Sequence, residues 1–245
     1  MSIGQEFMEK TKYRYLGQSD QVKNLPQPPL ADTHGRTDRV IDLPAPATLS
    51  PKKVDLTESI VRRVSTRQYS EEALTLADLS YLLWVTQGIK QVAARPATLR
   101  TVPSAGSRHA FETYLLCNRV QGLAPGIYRY AALDHKLVEV NLSAGLADSV
   151  TDALYRQDMV KRSAVTFLWV AVAYRSVWRY QARAYRYMHL DAGHVCQNLY
   201  LAVQAVDAGC CAIGAFDDDS IDNTLGLDGK EQFMIYAATV GKVGG

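Results

Sequence analysis

Between Trp178 and Ala208 apolar side chains return every three or four residues, at Ala184, Met188, Ala192, Val195, Leu199, Ala202 and Val206. On an α-helix that spacing is a single stripe. The pattern predicts one long helix over 178–208, and a stripe of that length needs a large apolar surface to lie on. Gly193 falls inside it at a cost of about 1 kcal/mol relative to alanine, so close packing against another backbone or a ring is expected there. Candidate surfaces are strands expected at Glu112 to Cys117, Gly126 to Tyr130, Lys136 to Val140, Val165 to Ala173 and Phe233 to Val240. The second and third read as a hairpin through a short turn at Ala131 to His135. Asp55 or Thr57 can cap a helix ending near Arg63. Thr75 opens another that runs to about Thr86, with Leu76, Leu79, Leu82 and Leu83 on its buried face, and Gly88 stops it. Helices segregated from a run of strands predict an α+β fold rather than a doubly wound βαβ sheet.

Residues 1–55 read differently. Pro26, Pro28, Pro29, Pro44, Pro46 and Pro51 punctuate them, so an extended N-terminal arm around a short helix near Gln5 to Tyr15 is expected, followed by one domain over 56–245. A long arm with no core of its own must dock on its own domain or on a neighbouring subunit. A net charge of only +2 gives no global field that favours nucleic acid or a membrane as partner. No apolar run is long enough for a signal peptide or a bilayer span, so a cytoplasmic location is the expectation. Cys117, Cys196, Cys210 and Cys211 show no metal-ligand spacing and read as buried thiols, with Cys210-Cys211 in a strand. His189 and His194 flank Asp191 without forming a zinc motif, so no metal is expected.

The chain has no glycine-rich phosphate cradle, neither G-x-G-x-x-G nor G-K-[ST]. Any phosphate must then be held by side chains. Arg63, Ser65 and Arg67 recur every second residue, which in an extended segment places two guanidinium forks and a hydroxyl on one side, a set suited to one phosphate group. A solvated basic turn would carry the same residues. Pro103-Ser104-Ala105-Gly106 is a loop whose small residues let backbone lie close to a planar ring. Gly214-Ala215-Phe216 is a strand-to-helix turn, with Asp217 to Asp219 capping a helix through Leu225. Arginines interleaved with aromatics from Trp178 to Tyr187 suit a substrate or ring-edge lining; a solvated helix start and a nucleic-acid surface are the competing readings, the latter opposed by the near-neutral charge.

In this order and at these separations, the Arg63-Ser65-Arg67 set, Pro103 to Gly106, Arg179 to Met188, Asp191-Ala192-Gly193-His194, Gly214 to Asp218 and Val240-Gly241-Lys242 resemble the FMN-dependent nitroreductase superfamily. Within it the likeness is to the SagB-type dehydrogenase branch, which oxidises azoline rings in peptides. The resemblance runs from about Leu56 to Lys242. It implies an antiparallel-rich central sheet with helices around it, a long central helix, and an obligate homodimer binding one FMN at each of two subunit interfaces. By resemblance Arg63, Ser65 and Arg67 hold the FMN phosphate, and Lys242 joins them. Arg100 and the loop Pro103, Ser104, Ala105 and Gly106 contact the isoalloxazine from the partner subunit, and the backbone at Gly214 and Ala215 faces flavin N5. Many members carry an aromatic-proline pair where this chain reads His109-Ala110.

SagB-type enzymes carry a Lys-Tyr pair thought to take the substrate proton, and the matching residues here are Arg179 and Tyr180. Arginine keeps its proton at any ordinary pH and cannot replace a lysine base. The expectation is therefore a NAD(P)H-dependent reductase of nitro, quinone or related acceptors, acting on a small-molecule or peptide substrate. An azoline dehydrogenase is the alternative, and a non-catalytic flavin-binding module is the alternative of another class.

Overall fold

The computed structural model describes residues 1–94 and 96–244. Its helices are α1 (Ile3–Lys10), α2 (Leu56–Arg62), α3 (Leu76–Gln87), α4 (Leu146–Ala153), α5 (Met159–Arg162), α6 (Tyr174–Tyr180), α7 (Ala184–Ala202) and α8 (Asp218–Leu225). Its strands are β1 (Val40–Asp42), β2 (Ile89–Ala93), β3 (Ala97–Arg100), β4 (Phe111–Cys117), β5 (Gly126–Ala131), β6 (Lys136–Asn141), β7 (Val165–Val172), β8 (Ala208–Ile213) and β9 (Gln232–Lys242). Seven strands form one sheet in the order β1-β6-β5-β4-β7-β9-β8, with every neighbouring pair antiparallel. β2 and β3 make a separate hairpin. The expected α+β, antiparallel-rich sheet is what forms.

Alternation along the central strands builds a core on each face. Leu115, Phe167 and Trp169 point to one side, where they meet Leu79, Leu82 and Leu83 of α3 and Met188, Val195 and Leu199 of α7. Leu116, Leu168 and Val170 point to the other and meet Val150 of α4, Val160 of α5 and Ile221 of α8. The helix starts follow local chemistry. Thr75 and Asp78 form a reciprocal capping box at 3.0 and 3.1 Å, and Asp55 and Asp217 cap α2 and α8.

The single helix expected over 178–208 is instead broken. α6 stops at Tyr180, Gln181 takes φ 51°, and α7 runs only from Ala184 to Ala202 before a 3₁₀ turn and β8. The apolar stripe is continuous through α7, but periodicity alone does not reveal the left-handed residue that resets the chain direction before it. At Gly193 nothing among the described residues lies within 4 Å of where its Cβ would stand, so the close packing expected there is not made within the chain. Its face of α7 is exposed in the monomer, alongside Leu190 and His194.

The arm docks on its own chain and contributes β1 to the sheet edge. Its far end meets a buried charge cluster. Arg175 pairs with Asp32 and Glu112 at 2.6 Å each, Glu112 also meets Arg129 at 3.4 Å, and Arg129 donates to the carbonyls of Asp32 and Thr33. Nearer the N-terminus, Arg183 donates to the Thr11 carbonyl at 3.0 Å and Arg186 to the Thr11 hydroxyl at 2.6 Å. The side-chain amide of Gln181 exchanges two hydrogen bonds with the main chain of Gly17, at 3.1 and 2.7 Å. The Arg- and Tyr-rich stretch therefore serves largely as the seat of the arm.

Candidate functional site

The segment Arg63 to Arg67 is extended, as its period-two pattern requires, because it lies along the outer edge of β8. Ser65 bridges Cys210 in parallel register and the Thr66 N–H donates to the Cys210 carbonyl at 2.9 Å. Two glycines permit this approach. A Cβ on Gly209 would fall 2.6 Å from the Thr66 Cβ, and one on Gly241 would fall 2.7 Å from the Tyr69 ring. Tyr200, near the end of α7, organises the same spot. Its hydroxyl accepts from the Ala212 N–H at 2.8 Å and shares a hydrogen bond with the Ser65 hydroxyl at 3.0 Å, while the Arg63 guanidinium lies 5.1 Å from the ring centroid. Arg67 is exposed and donates to the Ser65 carbonyl at 3.4 Å. Two guanidinium groups and a hydroxyl thus converge with no carboxylate paired to them among the described residues, a donor set that fits a phosphate.

The loop Pro103 to Gly106 is fastened to the middle of α7 by Asp191. The carboxylate accepts from the Ser104 hydroxyl at 2.7 Å and from the Ala105 N–H at 3.2 Å, and the Ser104 oxygen in turn accepts from the His109 N–H at 2.9 Å. Burial raises the Asp191 pKa above its ordinary value, and the Ser104 and Ala105 bonds oppose that rise. Asp191 lies in the Asp191-Ala192-Gly193-His194 run, but its role as the loop's anchor is legible only in three dimensions. Gly106 takes φ 58°, and a Cβ there would collide with the Tyr180 hydroxyl and approach the Arg179 Nε at 3.2 Å. The loop and the Arg179-Tyr180 pair are therefore one constellation. His109 is buried beneath it, held neutral by burial and the neighbouring Arg100, with its pKa lowered to about 3.

The clamp and the loop are not brought together within one chain. Tyr200 follows Asp191 by nine residues, which on an α-helix is about 13 Å along the axis and about half a turn around it. Gly214 and Ala215, exposed just past the end of β8, belong to the clamp side, since Gly214 adjoins Tyr236 and the Tyr200 hydroxyl binds Ala212.

The model of the nitroreductase family matches residues 60–242. The chain belongs to that family. Among curated proteins it is 29% identical over 191 residues to a nitroreductase-type protein of Methanocaldococcus jannaschii, covering 78% of this chain and 92% of that one. It is 25% identical over 165 residues to the trifolitoxin-processing protein TfxB of Rhizobium leguminosarum bv. trifolii, covering 66% of this chain and 44% of TfxB. A nitroreductase-type structure from Ralstonia eutropha superposes with a TM-score of 0.71 at 25% identity, covering 90% of this chain and 95% of that one. The Escherichia coli microcin synthetase McbBCD complex, with truncated pro-microcin B17 bound, gives 0.62 at 17% identity over 82% of this chain and 77% of the matched one. A structure from Desulfovibrio desulfuricans solved with FMN gives 0.53 at 16% over 79% and 89%. These last two show the fold.

Two of the expected site residues have their side chains engaged within the chain. Arg100 is buried, its guanidinium bonded to Gln87 at 2.9 Å, to the Thr98 hydroxyl and to the Leu30 carbonyl, and burial lowers its pKa to about 10. These bonds tie it to the arm and to the β2–β3 hairpin. Lys242 commits its ammonium to Asp78 at 3.1 Å and to the Val206 carbonyl at 2.7 Å, which ties β9 to the start of α3. Strand alternation set the direction of both side chains, and neither direction was visible in a motif.

Proposed function

We propose that the chain is an FMN-dependent oxidoreductase that uses NAD(P)H to reduce nitro, quinone or related acceptors. The observation that carries this reading is the Arg63-Ser65-Arg67 set beside β8, which meets no carboxylate among the described residues, in a chain without any glycine-rich phosphate cradle. The clamp has room for one phosphate group, which favours FMN over a dinucleotide flavin. Bound flavin would supply hydride transfer, and the protein supplies binding, ring environment and access. In this reading Arg63, Ser65 and Arg67 hold the phosphate, the Gly214-Ala215 backbone meets the reactive edge of the ring, and Pro103 to Gly106 with Tyr180 forms the opposite wall.

The half-turn between clamp and loop supports a site completed by a second copy of the chain, with the clamp side of one protomer facing the loop of its partner. The arm, docked in cis, supplies no reason for dimerisation. The apolar exposure of α2 and its flanks does: Leu56, Ile60, Val61 and Val64 are 63%, 54%, 78% and 65% exposed immediately beside Arg63. No helix among the described residues is long and apolar enough to cross a membrane.

The matches to TfxB and to the microcin synthetase complex favour a second reading, a SagB-type azoline dehydrogenase acting in peptide maturation. The chain spans less than half of TfxB, and by the resemblance Arg179 stands where that branch carries a lysine base. Steady-state assays separate the two. The reductase reading expects NAD(P)H-driven reduction of a nitroaromatic or quinone, changed by less than about tenfold in Tyr180→Phe, under roughly 1.4 kcal/mol of transition-state stabilisation. Robust thiazoline-to-thiazole conversion by the wild type, abolished in Tyr180→Phe, establishes the dehydrogenase reading instead.

A further inference from the structure

The arm and the end of α6 border an open cleft of about 370 Å³ whose walls include Tyr13, Leu16, Gly17 and Val22 from the arm and Arg179 and Tyr180 from the helix. Among the described residues no carboxylate lines it. Of the four arginines on this stretch, three are occupied. Arg175 lies in the buried cluster with Asp32 and Glu112, Arg183 bonds the Thr11 carbonyl and the Tyr187 hydroxyl, and Arg186 bonds Thr11 and the Met8 carbonyl. Arg179 differs from them. Its guanidinium lies 5.5 Å from the Tyr180 ring centroid and, among the described residues, meets neither a carboxylate nor a carbonyl.

Tyr180 is the shared wall. One side of it packs on Gly106, and the other borders the cleft. Its ring is fixed from a third direction by Tyr187, edge-on at 4.9 Å, which itself shares a hydrogen bond with Tyr13 of the arm at 2.5 Å. A half-buried cation beside two phenol rings suits a flat molecule with an anionic end, because the guanidinium fork pairs two oxygens of a carboxylate or phosphate while the rings cover an apolar face.

We propose that this cleft is a subsite for the oxyanion of a planar ligand, with Arg179 as its anchor and the arm, through Tyr13, as its outer wall. The inference rests on the oxidoreductase reading only in placing the subsite beside the ring-contacting loop. It gives Arg179 a recognition role at the position where the azoline-oxidising branch has a lysine.

Calorimetric titration of the purified protein with benzoate and with its neutral counterpart benzamide tests the subsite directly, without turnover. The wild type should bind benzoate more tightly than benzamide. Arg179→Gln should weaken benzoate by about 10- to 150-fold, the range for a hydrogen bond to a charged group. Arg179→Lys, which keeps the charge and loses the fork, should fall between them, and Tyr13→Ala should also weaken benzoate while the Thr11 and Gly17 bonds keep the arm docked. A second arm uses NADP⁺ and NAD⁺. A larger loss for NADP⁺ than for benzoate in Arg179→Gln assigns the oxyanion to the donor's 2′-phosphate, and the reverse assigns it to an acceptor's carboxylate. Wild-type protein that does not distinguish benzoate from benzamide, or an Arg179→Gln variant that binds benzoate like the wild type, overturns the subsite. Failure of the flavin reading would show separately, as protein that neither carries nor takes up FMN.

Discussion

Arg63→Ala combined with Arg67→Ala should yield a folded protein that has lost most of its flavin. Arg67 is exposed and Arg63 lies over the Tyr200 ring, but the segment's own attachment runs through backbone and small residues: the Thr66 N–H to Cys210, and Thr66 against Gly209. Removing the two arginine side chains leaves that attachment in place. Each lost hydrogen bond to a charged group costs about 1.5–3 kcal/mol, so the pair together should weaken FMN by about 10²- to 10⁴-fold if the two effects add. Fluorescence titration with FMN reads the loss, and an unchanged melting temperature without flavin checks the fold. Unaltered affinity in the double variant would return both arginines to the role of a solvated basic turn.

Gly106→Ala should damage the loop on which the other half of the site depends. A non-glycine residue in the left-handed region costs about 1–2 kcal/mol, and overpacking adds about 1–3 kcal/mol. The sum is about 2–5 kcal/mol. The collision is specific: the nearest atom to the new Cβ is the Tyr180 hydroxyl, and the next neighbours, the Arg179 Nε and the Tyr180 Cζ, are 3.2 Å away. Deleting that hydroxyl should therefore relieve the overpacking but not the backbone strain. In a double-mutant cycle followed by denaturant unfolding, Gly106→Ala with Tyr180→Phe should be more stable than the sum of the two single changes allows. Strict additivity would mean that the loop and Tyr180 do not touch in solution.

Much of the scaffold is legible in the sequence because local signals and tertiary packing agree. The strands β4, β5, β6, β7 and β9 are apolar, β-branched or aromatic runs, and Asp55, Thr75 and Asp217 cap the helices they precede. Less visible are α4 and α5, both short, β1 and β2, whose residues are half exposed or exposed, and β3, only four residues long, all with little periodic signal. The break at Gln181 leaves no trace in the sequence because a left-handed glutamine has no compositional mark; its conformation is held by the amide exchange with Gly17, 164 residues away. Among the candidate site residues, the period-two spacing of Arg63, Ser65 and Arg67 translated directly into an extended edge segment. Pairing partners did not translate. Nothing along the chain connects Lys242 to Asp78, Arg100 to Gln87, or Ser104 to Asp191, since these meetings depend on which way a strand or helix turns its side chain.

Sedimentation velocity followed at the flavin absorbance band tests the central claim, an FMN site completed by two copies of the chain. The account predicts a yellow boundary moving as a species of about twice the 27.1 kDa chain mass. Flavin sedimenting with a single chain, or colourless protein that takes up no added FMN, would contradict it.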